Sequence, residues 1–142
     1  MVLFEKMTNC ADETELVGAE LARYVLENKE EFVALYGDLG AGKTAFTRGF
    51  ASVIAPGAAV CSPTYAIVNE YAGGKLPLFH FDMYRIEDED SLDSIGFYDY
   101  FGRGVIITEW SENIPYALPE HYIKVTIEKR GDDARRILAE KC

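Results

Sequence analysis

The sequence is poor in the side chains that hold transition metals and in those that hold nucleic acid. It carries two histidines and three cysteines in 142 residues. Cys10, Cys61 and Cys142 are scattered, odd in number and without a C-x-x-C pair, so neither a disulfide framework nor a zinc site is indicated. His80 and His121 lie far apart with no ligand-spaced companions, which argues against a transition-metal centre. Basic side chains number 14 against 24 acidic ones, for a formal net charge of -10. Nucleic-acid binding draws most of its affinity from Lys and Arg neutralising phosphates, so a chain this acidic is poorly suited to hold RNA alone. Any link to nucleic acid is expected to run through another protein. The acidic excess gathers in Glu87 to Asp90 and at Glu13, Glu15, Glu27, Glu30 and Glu31, and reads as a solvated surface.

Long apolar runs are also missing. No stretch approaches the length needed to span a bilayer, and Met1 to Lys6 lack the basic segment and long apolar core of a signal peptide. A cytoplasmic location is expected, with no membrane partner. There is no internal repeat, low-complexity stretch or linker, and 49% hydrophobic composition fits one compact domain over residues 1–142.

What is present is a phosphate-binding loop. Gly37-Asp38-Leu39-Gly40-Ala41-Gly42-Lys43-Thr44 matches G-x-x-x-x-G-K-[ST] in full. The apolar run Phe32 to Tyr36 precedes it, and a helical pattern with Phe46, Phe50, Val53 and Ile54 on one face follows. A strand thus enters the loop and a helix leaves it. The chemistry needs that order: glycines let backbone N–H groups close around phosphates, and the helix start adds unpaired N–H groups and its positive dipole end. Lys43 brings a mobile positive charge to the terminal phosphates, and the Thr44 hydroxyl is suited to ligate Mg2+. A nucleoside triphosphate is the expected ligand.

The remaining pattern predicts further elements around this loop. Val2 to Met7 suits a short strand, and Asp12 with Glu15 suggests a capping box opening a helix that carries Val17, Leu21, Tyr24 and Val25. After a break at Ala55-Pro56-Gly57, the strand-like run Tyr65 to Tyr71 and the run Leu76 to Tyr84 flank the turn signal Gly73-Gly74, predicting an antiparallel pair. A short helix is expected from Glu87 through Leu92 and Ile95, and Gly96 and Gly102 bracket its continuation. Val105 to Thr108 reads as a buried parallel strand ending at Glu109-Trp110. Tyr122 to Ile127 and Arg136 to Leu138 form a closing hairpin around Gly131-Asp132.

Hydrolysis of a triphosphate requires a strand-end carboxylate for the magnesium shell and a group that places the attacking water. Asp82 and Glu109 each follow an apolar strand, and spacing alone does not divide the two tasks between them.

Gly37 to Thr44, then Ser62-Pro63-Thr64 running into Val68-Asn69-Glu70-Tyr71, then His80-Phe81-Asp82-Met83-Tyr84-Arg85, then Glu109-Trp110 resemble the ordered motifs of the bacterial TsaE (YjeE) family, over about residues 8 to 112. The resemblance implies an α/β fold, a single P-loop NTPase domain in three layers whose central sheet mixes parallel and antiparallel strands. It implies an ATPase required for threonylcarbamoyladenosine in tRNA, working with the TsaD and TsaB proteins while TsaC makes the activated intermediate. ATP and Mg2+ would be its cofactors, and tRNA would be reached only indirectly. By the same resemblance, Thr44 and Glu109 would coordinate magnesium, Asp82 would orient the water, and Thr64 would be a switch residue beside the terminal phosphate. Lys43 would act on the phosphates in catalysis. The nucleotide-binding set would be Gly37, Asp38, Leu39, Gly40, Ala41, Gly42, Lys43, Thr44, Ala45 and Trp110, with Ala45 standing where the family commonly has threonine.

Plainer readings exist for several of these residues. His80 reads as a strand residue making one hydrogen bond, Trp110 as core, Ser62-Pro63-Thr64 as a turn, and Arg85 as a neutraliser of acidic neighbours. Arg48, Arg85 and Arg103 lack the motif context of an arginine finger, so hydrolysis by the isolated chain is expected to be slow. A small-molecule kinase and a nucleotide-dependent binding module are the alternative classes. Adenine in preference to guanine rests on the resemblance, and no N-K-x-D motif is present.

Overall fold

The computed structural model describes residues 1–37, 41–60 and 67–142. Seven strands and three α-helices follow in the order β1 (Val2–Thr8), α1 (Ala11–Asn28), β2 (Phe32–Tyr36), α2 (Lys43–Ile54), β3 (Val68–Tyr71), β4 (Leu78–Asp82), α3 (Glu89–Ser94), β5 (Val105–Glu109), β6 (Ile123–Lys129) and β7 (Arg135–Lys141). The sheet order is β1-β7-β6-β2-β5-β4-β3. Strands β6, β2, β5 and β4 are mutually parallel, while β3 and the β7–β1 pair run antiparallel to their neighbours.

The central strands are buried on both faces, so their side chains divide by parity between two cores. Val33 and Leu35 of β2 join Val105 and Ile107 of β5 under α1 and α2, where Leu21, Val25, Phe46, Phe50 and Ile54 pack. Phe32, Ala34, Phe79, Phe81 and Ile106 point to the other face, against Leu92 of α3 and Phe97 of a following 3-10 turn. Phe97 meets Phe81 edge-on, with ring centroids 5.0 Å apart. Full burial of each such side chain stabilises by about 1.5–3 kcal/mol. The result is helix, mixed sheet and helix in three layers, the α/β architecture expected.

Helices α1 and α2 cross at closest backbone approach where both lack side chains. A Cβ at Gly49 would lie 1.8 Å from the Glu15 carbonyl oxygen, and one at Gly18 would lie 2.1 Å from that of Phe46. This crossing seats α2, and the loop that precedes it, against a fixed support.

Several boundaries depart from the pattern reading. The capping box at Asp12 and Glu15 is not formed: the N-cap falls two residues earlier, at Cys10, and Glu13 accepts the backbone N–H of Asn9 at 2.6 Å. Glu15 is instead drawn into an ion pair with Arg48 of α2 at 2.7 Å. β4 is shorter than Leu76 to Tyr84, because Leu76 is exposed and the chain turns after Asp82. The strand expected from Tyr65 begins at Val68; Tyr65 and Ala66 lie outside the described residues. The closing hairpin is present, and its first strand enters the parallel core beside β2.

Parallel β2, β4, β5 and β6 all end at one edge of the sheet. That edge gathers the loop after Tyr36, Asp82, Glu109 and the β6–β7 turn, the place where open α/β sheets bind ligands.

Candidate active site

The described part of the loop is Gly37 with Ala41, Gly42, Lys43 and Thr44; Asp38, Leu39 and Gly40 lie outside the described residues. Gly42 is the N-cap of α2 with φ 101°, a backbone conformation that a side chain would oppose, and it places no cap on the first-turn N–H groups. Those donors therefore face the loop and suit an anion. Lys43 is the first residue of α2 and only 6% exposed. Its Nζ donates to the Gly37 carbonyl at 2.7 Å, across the loop, and sits 4.2 Å from the centre of the Trp110 ring. Thr44 and Ala45 follow, both half-buried. Tyr36, just before the loop, has its phenol pushed up to about 12, chiefly by burial, and stays protonated.

Asp82 and Glu109 are register partners at the ends of adjacent parallel strands. Each shares the parity of residues that pack under α2, Leu78 on β4 and Ile107 on β5, so both fall on the face that carries the loop helix. Asp82 is half-buried, and its Oδ1 accepts the Tyr84 backbone N–H at 2.9 Å. Glu109 is 5% exposed, and its Oε2 meets His80 Nε2 at 2.5 Å. Among the described residues neither carboxylate pairs with a lysine or arginine. None of those residues forms a cluster of three or more metal-ligating side chains. Two register-paired strand-end carboxylates, neither in an ion pair with a lysine or arginine among the described residues, fit Mg2+, which takes one or two carboxylates and completes its shell with water and phosphate oxygens.

The ends of β4 and β5 are tied together. Met83 N–H donates to the Glu109 carbonyl at 3.0 Å, and Asn113 Nδ2 donates to the Met83 carbonyl at 3.0 Å. Trp110 lies between them in a left-handed conformation, φ 57°, which is rare for a bulky residue and characteristic of functional sites. Its ring is half-buried, touches Tyr84 at 5.0 Å between centroids and covers Lys43, so it lines the site as well as packing.

Among the arginines considered from sequence, Arg48 is paired with Glu15, and Arg103 stacks on Phe79 and Tyr100 at the start of β5, the opposite edge from the site. Arg85 is exposed. Thr64, with Ser62 and Pro63, lies outside the described residues. Two relationships had no sequence signal. Arg135, first in β7, donates through Nε to the Ala41 carbonyl at 2.9 Å, and through Nη1 to the carbonyls of Gly131, Asp132 and Ala134. His80 makes the single strand hydrogen bond expected of it, but its partner is Glu109.

The family model for threonylcarbamoyl adenosine biosynthesis protein TsaE matches residues 8–137. The tRNA threonylcarbamoyladenosine biosynthesis protein TsaE of Bacillus subtilis is 45% identical over 108 residues, 75% of this chain and 67% of that protein. The protein of the same name from Haemophilus influenzae is 44% identical over 121 residues, 84% of this chain and 75% of its own length. The crystal structure of Bacillus subtilis YdiB matches with a TM-score of 0.76 at 33% identity, covering 98% of this chain and 86% of that one.

Proposed function

This chain belongs to the TsaE family of threonylcarbamoyladenosine biosynthesis proteins, and from that premise we propose that it is a Mg2+-dependent ATPase serving the modification of tRNA. Residues 1–142 act as one P-loop domain. The observation that carries this reading is the pairing of Asp82 with Glu109 on the face of the sheet that holds Lys43.

The loop amides from Gly37 to Thr44 cradle the phosphates, Lys43 leaves the Gly37 carbonyl for the terminal phosphates, and Trp110 walls the site. Thr44 and Glu109 hold the magnesium ion, which supplies neutralisation of phosphate charge. Asp82 orients the water that attacks the γ-phosphorus as the bond to the β–γ bridging oxygen breaks, yielding ADP and phosphate. Thr64 senses the terminal phosphate. Arg48 and Arg103 are engaged elsewhere, which supports slow turnover alone and transition-state charge supplied in trans. The partners are the TsaD and TsaB proteins, and the acidic surface leaves contact with tRNA to them. No helix among the described residues is long and apolar enough to cross a membrane, and the role proposed is a cytoplasmic one.

The test is a titration with ATP and Mg2+, followed by phosphate-release assays with and without the partner proteins. Saturable binding, slow release alone and faster release in the complex are expected. Release that is equally fast without partners would refute the dependence on them, and a phosphorylated small acceptor would make the chain a kinase.

A further inference from the structure

Resting on the magnesium–nucleotide reading, we infer that His80 is the positioning residue for the Glu109 carboxylate, setting the affinity of the site for its divalent cation. His80 is fully buried in the centre of β4, and Glu109 ends the neighbouring parallel strand at 5% exposure. The contact between Nε2 and Oε2 spans 2.5 Å. A buried carboxylate left without a donor carries a heavy desolvation cost, and its rotamer would be open.

The tautomer follows from the other ring nitrogen. His80 Nδ1 is buried with no hydrogen-bond partner among the described residues, so a proton there would be an unsatisfied donor. The proton therefore sits on Nε2 and is donated to Glu109, while Nδ1 keeps a bare lone pair. Oε2 is occupied by the histidine, and Oε1, which makes no hydrogen bond to any described residue, is the oxygen left for the metal shell. The ring is fully buried, with the Tyr71 ring 6.2 Å from it. A histidine that fixes a metal-site carboxylate from behind is the outer support on which ligand orientation depends.

The test separates metal affinity from nucleotide affinity. His80→Phe keeps the ring volume and removes the donor, His80→Gln returns an N–H near the Nε2 position, and His80→Asn bears an amide too short to reach. ATP binding is measured in EDTA and across a Mg2+ series, with Mn2+ resonance spectroscopy as a direct count of bound cation. In His80→Phe and His80→Asn the EDTA affinity should stay near the wild-type value while the cation midpoint rises about tenfold. His80→Gln should recover most of that loss. An unchanged midpoint in the folded His80→Phe or His80→Asn protein, an equal loss with and without metal, or no recovery in His80→Gln would overturn the assignment. A wild-type chain that bound ATP without any response to Mg2+ would instead overturn the functional reading beneath it.

Discussion

Lys43 Nζ rests 4.2 Å above the centre of the Trp110 ring while donating to the Gly37 carbonyl at 2.7 Å. The ammonium is thus held by a π face and one carbonyl, a neutral cage that a phosphate outcompetes because its oxygens carry full charge. Trp110 is the sole tryptophan of the chain, so its emission reports this exchange. Adding ATP should change the emission saturably. In Lys43→Ala the response should vanish over the same range, with affinity lower by about 2–4 kcal/mol, or roughly 30- to 1,000-fold. A wild-type titration curve in Lys43→Ala would contradict the cage.

The two strand-end carboxylates should separate in their effects although they are register partners. Asp82→Ala leaves the loop and Glu109 untouched, so ATP should still bind while turnover drops by about 100-fold or more. Glu109→Gln should raise the Mg2+ requirement for binding before it affects anything else. Equilibrium binding and single-turnover phosphate release distinguish the pair, and loss of ATP binding in Asp82→Ala would contradict this division.

The sequence carried the outline because its strongest signals are local. Gly37 to Thr44 is a contiguous motif, β2 was bounded at Phe32 and Tyr36 by its apolar run, and the β3–β4 hairpin was marked by Gly73-Gly74. The pattern places the α1 start two residues late because Glu15 has two options, its own helix end or Arg48 on α2, and the second exists only after the helices cross. His80 with Glu109 and Arg135 with Ala41 are likewise 29 and 94 residues apart in the chain, contacts made by strand order alone. Helical periodicity and motif spacing contain no term for such pairs. Thr64 rests on the resemblance alone and lies outside the described residues.

The α1–α2 crossing should be intolerant of any side chain. At Gly49 a Cβ would meet the Glu15 carbonyl, which is backbone and cannot rotate aside. Gly49→Ala should therefore cost about 1–3 kcal/mol in urea unfolding through forced separation of the helices. Gly131→Ala is the control: the nearest atom to an added Cβ there is 3.8 Å away, and its stability should be nearly unchanged. Equal midpoints for the two variants would refute the close crossing.

Asp88 caps α3 by accepting the Ser91 backbone N–H at 2.8 Å. That hydrogen bond holds its carboxyl below the ordinary value of 3.8. A folded-state value below the unfolded one contributes stability that is present above the unfolded pKa and is lost as pH falls through the folded pKa. Asp88→Ala should therefore melt at lower temperature than wild type near neutral pH, and the gap should close on acidification below that ordinary value. A gap constant across the acid range would show that the charge plays no part.

Arg135 ties the closing hairpin to the loop, and its loss should reach the nucleotide without touching it. Its Nε bond to the Ala41 carbonyl at 2.9 Å holds the last turn of the loop before α2, while the Nη1 bonds to Gly131, Asp132 and Ala134 brace the same guanidinium against the hairpin turn. One planar group thus makes the loop and the turn a single unit, which a lysine cannot copy because its point-like ammonium lacks the fork. Releasing the loop adds an ordering cost to each binding event. With a charge-assisted hydrogen bond worth about 1.5–3 kcal/mol, Arg135→Lys should weaken ATP binding roughly 10- to 100-fold. The loss should appear equally in EDTA and in Mg2+, because the bond acts on the cradle and not on the metal side. A loss confined to the Mg2+ arm would place Arg135 in the metal shell's support instead, and no loss in either arm would show that the loop orders itself without the hairpin.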